Sequence, residues 1–564
     1  MSTVTGGQLA AEALIERNVE YVFTLSGGHI TPIYQYLEES EITLFDTRHE
    51  QAAAFMAEAW GKLTRKPGIA MVTAGPGFTN ALTGVASAYF SNTPMVIIAG
   101  CVGLEHKEKL DLQDMDQEPV IRPMVKKTLV CQKTERVPEF FDQAFRYATS
   151  GRPGPVYLEI PVDVLNGTVE RNSVKKLGTQ VTSRTTDPGK AGEMLSMMVS
   201  AKNPVVIAGT GVWQSQAEEE LVKFIESTGM PVFTSLSGRG TIADNHPLCF
   251  EGALAIRPGG AFAAYLETDL VIILGTRICL YYMFGDVFNP AAKKIQVDIC
   301  AEEIGRNTTV DLPVVSDVKA LLEDLNRKID EDGLSATFQE RFSAWIEKLE
   351  TADKDGKTPA EADWNSDNEP IHQLRLAREI NEFMDRPDDI VVADGGDTTT
   401  WMGMTRTMTQ AGHYLDYGIY GSLGVGLPYA NAAKLRYPEK RVLLISGDGS
   451  FGFNFMEVEN AIRKNIPLVI VICNDLGWGM IRHSQEIRIG HAIKAGTFIG
   501  QVNYHLLVEA LGGVGMLVEK PGDIRPALEK AFASGKTACI NVMADPTTVS
   551  PGSMALANVG AYKA

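Results

Sequence analysis

Two short apolar runs, 441–446 and 468–473, end respectively in Gly447-Asp448-Gly449-Ser450 and in Asn474-Asp475-Leu476-Gly477. Apolar runs of that length punctuated by Gly-rich turns read as buried strands of a parallel α/β sheet, and ligands of such sheets bind where the strands end. A Gly-Asp-Gly triplet alone is no more than a strand-ending turn. Here the helical pattern over 457–464, the second strand and the polar pair at its tip bring two carboxylates to one sheet edge. Two carboxylates and a backbone carbonyl suit a hard, octahedral Mg²⁺ whose remaining positions go to phosphate oxygens and water. The pair therefore reads as a clamp for a metal and a diphosphate.

A chain of 564 residues is too long for one core and is expected to divide into about three domains. Its formal net charge of -18 argues against nucleic acid or an anionic membrane as the main partner, while leaving room for a local basic pocket. The seven cysteines lack CxxC spacing and several sit inside apolar runs, which suits buried thiols in a reducing cytoplasm. The first residues show no charged region followed by an apolar one, and no later stretch reaches membrane-spanning length without charge. The expectation is a cytoplasmic chain with no membrane partner.

Amphipathic helical periods at 7–17, 30–39 and 51–64 alternate with apolar runs at 21–25, near Leu44, 69–73, 95–99 and 156–161. Strands separated by helical patterns predict a parallel sheet covered on both faces, closing a first domain over 1–170. A polar connector, 171–190, leads to a second α/β unit over 190–333, with strands at 205–209, 231–234, 270–274 and 294–297 and a helix at 216–228. Its turns Gly209-Thr210-Gly211 and Gly275-Thr276-Arg277 read either as ordinary strand-to-helix turns or as the approach to a nucleotide. A charged helical stretch, 334–357, and a polar run, 358–369, form the next linker. The third unit, 371–545, opens with a helix at 371–384 and a strand at 390–393, carries the clamp and ends with a strand at 538–542. The tail, 546–564, has no strong period and reads either as a frayed end or as a segment that closes over an active site.

The clamp resembles the motif of thiamine diphosphate enzymes, a Gly-Asp-Gly followed after about two dozen residues by paired Asn, and the resemblance covers nearly the whole chain. Asp475 replaces the second Asn and is an equally good oxygen ligand. The resemblance implies an N-terminal pyrimidine-binding domain, a central nucleotide-binding-like domain and a C-terminal diphosphate-binding domain. It implies Mg²⁺ ligation by the side chains of Asp448 and Asp475 and the carbonyl of Gly477, with Gly447, Gly449, Ser450, Asn474, Gly479 and Met480 as cofactor contacts.

Arg48-His49-Glu50-Gln51-Ala52-Ala53-Ala54 sits where a short strand turns into an apolar helix. A first-turn carboxylate stabilised by the helix dipole would explain Glu50 by itself. The motif as a whole resembles the HEQAA element of the family, whose glutamate donates a hydrogen bond to the aminopyrimidine ring and promotes deprotonation of the thiazolium carbon. That role needs a poorly hydrated carboxyl, and the apolar flank 52–55 is compatible with one. Gly75-Pro76-Gly77 with Asn80 resembles the family's GPG-x-TN element, which lines the cofactor, although turn chemistry alone accounts for the glycines. Asp397 and Thr398, at a Gly-rich strand end, occupy diphosphate-contacting positions by the same resemblance. Leu423 matches the apolar wedge that bends the cofactor, or is a core leucine. The family joins the first domain of one chain to the third domain of its partner, so Glu50 and Asp448 of one site are expected from different copies. A homodimer is the minimum and a homotetramer is common among relatives.

In this family the cofactor adds to a carbonyl and holds the electron pair when an adjacent bond breaks. The segment Gly27-Gly28-His29-Ile30 looks similar to acetolactate synthases. Those enzymes carry a Trp where this chain has Ser484, and a shorter loop than residues 277–285. The 277–285 stretch and Gln113-Asp114-Met115-Asp116-Gln117 look more like oxalyl-CoA decarboxylases and 2-hydroxyacyl-CoA lyases. The preferred expectation is thus cleavage of a 2-hydroxyacyl-CoA to an aldehyde or ketone and formyl-CoA, with pyruvate carboligation, oxalyl-CoA decarboxylation and a noncatalytic cofactor-binding homologue as alternatives. His29, Gln113 and Glu486 are candidates for proton transfer or carbonyl orientation. Gln113 reads equally as a loop amide, and Glu486 as the surface partner of Arg482 or Arg488. The central domain is a candidate site for an ADP or CoA moiety, or for flavin.

Overall fold

Runs such as Val205-Val206-Ile207-Ala208 and Val469-Ile470-Val471-Ile472 offer no polar face, so they form strands covered on both sides. The computed structural model gathers these strands into three sheets in which every pairing is parallel. It describes residues 2–175, 178, 184–250, 260–357 and 361–558. Parts of the first connector, of the 358–369 run and of the tail thus lie outside the described residues.

The N-terminal sheet runs Thr43–Asp46, Tyr21–Thr24, Gly68–Val72, Met95–Cys101, Pro155–Pro161 and Lys127–Val130. The C-terminal sheet runs Tyr414–Leu415, Ile390–Asp394, Val442–Gly447, Val469–Asn474, Ala538–Met543 and Val514–Val518. Counted along the chain, both place their strands in the same order, so the two domains are built on one plan. Between them in sequence lies a five-stranded sheet, Val232–Thr234, Pro204–Ala208, Leu270–Leu274, Lys293–Asp298 and Leu312–Val315. The expected three-domain α/β architecture is present. Thr3–Thr5 pairs antiparallel with Thr168–Glu170 and ties the start of the N-terminal domain to its end.

The structure departs from the sequence reading at edges, at termini and in the second linker, where the Ser335–Lys357 helix buries Phe338, Phe342, Trp345 and Leu349 in the core of the central domain. Lys127–Val130 and Tyr414–Leu415 are edge strands too polar or too short to leave an apolar run, whereas the edge strand Val514–Val518 is an apolar run that the reading passed over. Residues Pro551–Asn558 form a helix in the tail, where small residues carry no period. The turn expected at Gly447 is instead a direct passage from strand into the helix Asp448–Phe453.

Small residues let the N- and C-terminal domains approach closely. The Glu50–Thr64 helix packs between the Pro76–Phe90 and Gly426–Arg436 helices, burying Ala52, Ala53, Ala54, Ala57 and Ala59. A Cβ on Gly84 would lie 2.5 Å from the Cβ of Ala54, so the crossing depends on that glycine. Across the interface Phe55 meets Tyr429 edge-on at 6.2 Å. Lys62 joins buried Glu58, at 3.0 Å, to the Tyr429 hydroxyl, at 3.0 Å.

The central domain is fastened to both neighbours by cations. Arg65 stacks over Trp213 at 3.5 Å, and the Trp213 indole donates to the Lys62 carbonyl at 2.9 Å. Arg239, itself buried, donates to the carbonyls of Gly403 (2.7 Å) and Arg406 (2.6 Å) at the end of the Gly396–Thr405 helix and pairs with buried Asp244. Asp244 in turn accepts the Met408 amide at 2.8 Å. Arg239→Met would remove the direct ion pair of buried Asp244. It is expected to destabilise the chain by about 3–5 kcal/mol, seen as a lowered midpoint of chemical denaturation.

Candidate active site

The N-terminal half of the site forms where the strands Tyr21–Thr24, Thr43–Asp46 and Gly68–Val72 end. His49 caps the helix that follows, its Nδ1 accepting the Gln51 amide at 3.1 Å, and Glu50 falls in the first buried turn. One Glu50 oxygen accepts from Asn80 Nδ2 at 3.0 Å. The other faces Gly77, where a Cβ would come within 3.3 Å. The same imagined Cβ would be 2.7 Å from Thr73 Cγ2, so Gly77 keeps Glu50 and Thr73 side by side. Thr73 Oγ1 lies 3.2 Å from His29 Nδ1 and 3.5 Å from Gln113 Oε1. Burial lowers the His29 pKa, favouring the neutral ring.

Glu50, His29, Gly77, Asn80 and Gln113 thus converge, with Pro76 opening the helix and exposed Gly28 at the rim. Gly75 has φ +60° and presses on Gln113, whose Cβ would be 2.9 Å from any added side chain. Its amide donates to Gln117 Oε1 at 2.9 Å, and Gln117 Nε2 is anchored on the Gly100 carbonyl, Tyr157 and Glu159. Thr73 and Gln117 were absent from the expected site residues. Their only signal in the sequence was adjacency to the Gly-Pro-Gly and Gln-Asp-Met motifs.

The C-terminal half forms along the ends of three adjacent strands. Asp448 sits at the first turn of its helix, with Oδ1 accepting the Gly449 amide at 2.9 Å and Oδ2 buried with no partner. Burial, with nearby Asp475, pushes the Asp448 carboxyl well above the usual carboxylate range. Burial raises Asp475 as well, although Arg482 holds its Oδ2 at 2.7 Å and opposes the shift. An orphaned carboxylate oxygen beside a second carboxylate is what a bound cation would relieve. Among the described residues, no group of three or more His, Cys, Asp and Glu side chains stands as a self-sufficient metal site. A cation here would need further oxygens, such as a backbone carbonyl and phosphate groups.

Glycines make the cradle. A Cβ on Gly479 would strike Asp475 Oδ2 at 2.4 Å and Asp397 Oδ2 at 2.9 Å; one on Gly449 would strike the Trp478 ring at 2.7 Å; one on Gly396 would strike Met480 Sδ at 2.5 Å. Gly395, at φ +100°, brings the Gly396–Thr405 helix within reach of Gly447 and Ser450. Thr398 points toward Gly447. Asp394 accepts the amides of Gly426 at 2.9 Å and Gly424 at 3.4 Å, setting the turn that carries Leu423.

Three expected residues are placed otherwise. Asp397 turns to His483 (3.1 Å) and to the hydroxyls of Ser550 and Ser553 in the tail. Asn474 spends its side chain on Leu476, Val502 and Asn541. Glu486 is exposed on the Gly479–Ile489 helix, and Arg482, its expected surface partner, is buried against Asp475. The reading of the tail as a segment that closes over an active site named neither Ser550 nor Ser553, and no local motif marked Arg482 or His483 as their counterparts.

A separate cavity of about 450 Å³ opens where the central domain meets the other two. Asp298 stands at a strand end, Arg277 donates to the Phe90 carbonyl, and Asp416 Oδ2 is buried without a partner at the cavity wall.

Two expected outcomes follow from this geometry. Gly479→Ala forces a methyl group against both carboxylates, so Mg²⁺-dependent diphosphate binding is expected to weaken by about ten-fold or more, read by titration calorimetry, with the far-ultraviolet dichroism unchanged. Burial pushes the Asp394 carboxyl up to about 6. The folded chain therefore binds this proton more tightly than the unfolded chain, and the group's stabilising contribution is lost as pH rises through about 6. Between pH of about 4.5 and 7, unfolding free energy is expected to fall more in the wild type than in Asp394→Asn.

Family models match three stretches of the chain: the N-terminal TPP binding domain of thiamine pyrophosphate enzymes at residues 4–120, the central domain at 192–325, and the C-terminal TPP binding domain at 394–542. A probable acetolactate synthase from Mycobacterium bovis is 35% identical over 550 residues, covering 97% of each chain. A probable acetolactate synthase large subunit from Methanococcus aeolicus is 32% identical over 97% of this chain and 93% of its own. A 2-hydroxyacyl-CoA lyase from Arabidopsis thaliana is 30% identical over 96% of each chain. With both halves of the site and all three domain models in place, the chain belongs to the thiamine diphosphate-dependent enzymes, in the group that holds acetolactate synthases and 2-hydroxyacyl-CoA lyases.

Proposed function

We propose that the chain is a Mg²⁺-dependent carbon–carbon lyase and carboligase that cleaves a 2-hydroxyacyl-CoA into an aldehyde or ketone and formyl-CoA, and joins them in reverse. The observation that carries this choice is Ser484. A small side chain, half-buried and with an unpartnered hydroxyl, stands on the Gly479–Ile489 helix where a bulky aromatic would select a second keto acid. Cleavage breaks the bond between the carbinol and thioester carbons; the hydroxyl proton leaves the carbinol oxygen, and the formyl carbon takes up a proton.

When bound, thiamine diphosphate supplies the carbon centre that attacks the thioester-side carbonyl and stores the electron pair released by cleavage. Asp448, Asp475 and the Gly477 carbonyl would hold Mg²⁺, and Thr398, Ser450 and the helix amides after Gly395 and Gly447 would meet the diphosphate. Glu50, dry and held by Asn80, would share a proton with the pyrimidine ring. His29 and Gln113, on either side of Thr73, would orient the substrate oxygen and pass its proton. Phe453, Met456, Ile481 and Phe498 are exposed in the single chain near the clamp, which supports a site completed by a second copy, with a homodimer as the minimum unit and a tetramer as its extension. The central cavity is proposed to take the ADP portion of a nucleotide or of CoA, with Asp298 placed for ribose hydroxyls. Seven free cysteines support a cytoplasmic setting; among the described residues no helix is long and apolar enough to cross a membrane.

A second reading, carboligation of pyruvate, is favoured by the 35% identity to an acetolactate synthase of nearly equal length. An assay of the purified protein with thiamine diphosphate and Mg²⁺ against pyruvate, oxalyl-CoA and a short 2-hydroxyacyl-CoA separates the two. Formyl-CoA and aldehyde in equal amounts are expected; acetolactate from pyruvate alone would sink the acyl-CoA reading. Glu50→Gln is expected to lower turnover of the accepted substrate by about 10²–10⁴-fold while cofactor affinity changes little.

A further inference from the structure

The Gly396–Thr405 helix presents two adjacent side chains in different directions. Thr398 faces Gly447 and the clamp, whereas Asp397 faces the Gly479–Ile489 helix and the tail. Both Asp397 oxygens are taken: Oδ1 accepts from Ser553 at 2.6 Å and from Ser550, and Oδ2 lies 3.1 Å from His483 Nδ1. A carboxylate so occupied has no donor to offer a phosphate, and its charge would repel one.

The tail is sewn to the same place from its other side. His483 Nε2 lies 3.0 Å from the Pro546 carbonyl, and Arg482, already on Asp475, donates to that carbonyl at 2.7 Å. Each His483 nitrogen thus faces an oxygen that only accepts. Ser550 Oγ accepts the Ser553 amide at 3.1 Å, and Gly552 lies so near that a Cβ there would meet Thr400 Oγ1 at 2.4 Å. Asp397, His483, Ser550 and Ser553 are all buried.

We propose that Asp397 and His483 are positioning residues: they anchor residues 546–553 as a brace across the Gly396–Thr405 and Gly479–Ile489 helices, and that brace holds Thr398 and Asp475 at the separation Mg²⁺-diphosphate binding needs. Asp397 borders the clamp across Gly479, where a single Cβ would meet Asp475 Oδ2 at 2.4 Å and Asp397 Oδ2 at 2.9 Å, while its hydrogen bonds run to His483 and the tail. Arg482 is the link, since one guanidinium grips both the tail carbonyl and the Asp475 carboxylate. This inference rests on the clamp reading given above and adds the tail to it.

The test uses the full chain and two readouts, hydrogen exchange of residues 546–558 and the Kd of Mg²⁺-thiamine diphosphate by titration calorimetry. Asp397→Ala and the double variant S550A/S553A are expected to speed tail exchange and to raise Kd, each by about ten-fold or more, with far-ultraviolet dichroism retained. Asp397→Asn is expected to stay within about three-fold of wild type, because its amide can accept from the serines and donate to a neutral His483. Unchanged tail exchange in both disruptive variants, or faster exchange with an unchanged or lower Kd, would overturn the proposal. Should the wild type itself fail to bind Mg²⁺-thiamine diphosphate, the clamp reading falls and the supporting role falls with it, while tail exchange still decides whether Asp397 is the anchor.

Discussion

A buried carboxylate oxygen with no partner, Oδ2 of Asp448, is the constraint around which the C-terminal half of this protein is arranged. Leaving it so is unfavourable, and Asp475 close by makes it more so. Side-chain rearrangement does not separate the two carboxylates, because Asp448 follows a strand paired on both sides and Asp475 follows the next strand in the sheet. Arg482 compensates one carboxylate only. A bound cation would relieve the remaining charge; Gly479 keeps a side chain from between Asp475 and Asp397, while Gly396 and Gly449 make room for the side chains of Met480 and Trp478.

The N-terminal half meets a different requirement by similar means. Glu50 is buried, with one amide partner and a glycine against its other oxygen, the setting that its proposed proton exchange with the pyrimidine ring would need. Alanine-rich helices behind it bring the two domains close, and the central domain is bolted to each by a stacked or buried arginine. Arg239 reaches the far end of the helix whose near end carries Thr398, so the central domain and the clamp share one rigid element.

Much of this was legible in the sequence where the physical signal was local. Apolar runs of four to seven residues gave the central strands, and the Gly-Asp-Gly and His-Glu-Gln motifs marked both halves of the site because strand ends and first helical turns follow directly from residue order. The edge strand Lys127–Val130 was missed, since half-exposed strands need no apolar run. The tail helix was missed because Ser, Gly and Ala give no amphipathic period. Arg482, like Arg488, read as a surface partner for Glu486, and Asp397 as a phosphate contact, because the contacts of Arg482 and Asp397 with the tail, 64 and 153 residues away, leave no trace in spacing.

Under the proposed function, Glu50 of one copy and Asp448 of another would complete a single site. Co-expression of Glu50→Gln and Asp448→Asn chains tests it most directly. Random pairing of the two inactive chains would make half of the dimers hybrid, each with one intact site of two, so activity near one quarter of wild type is expected, by roughly that arithmetic of two-fold assembly. Activity no higher than that of either variant alone, in hybrids verified by native mass spectrometry, would contradict a site shared between copies.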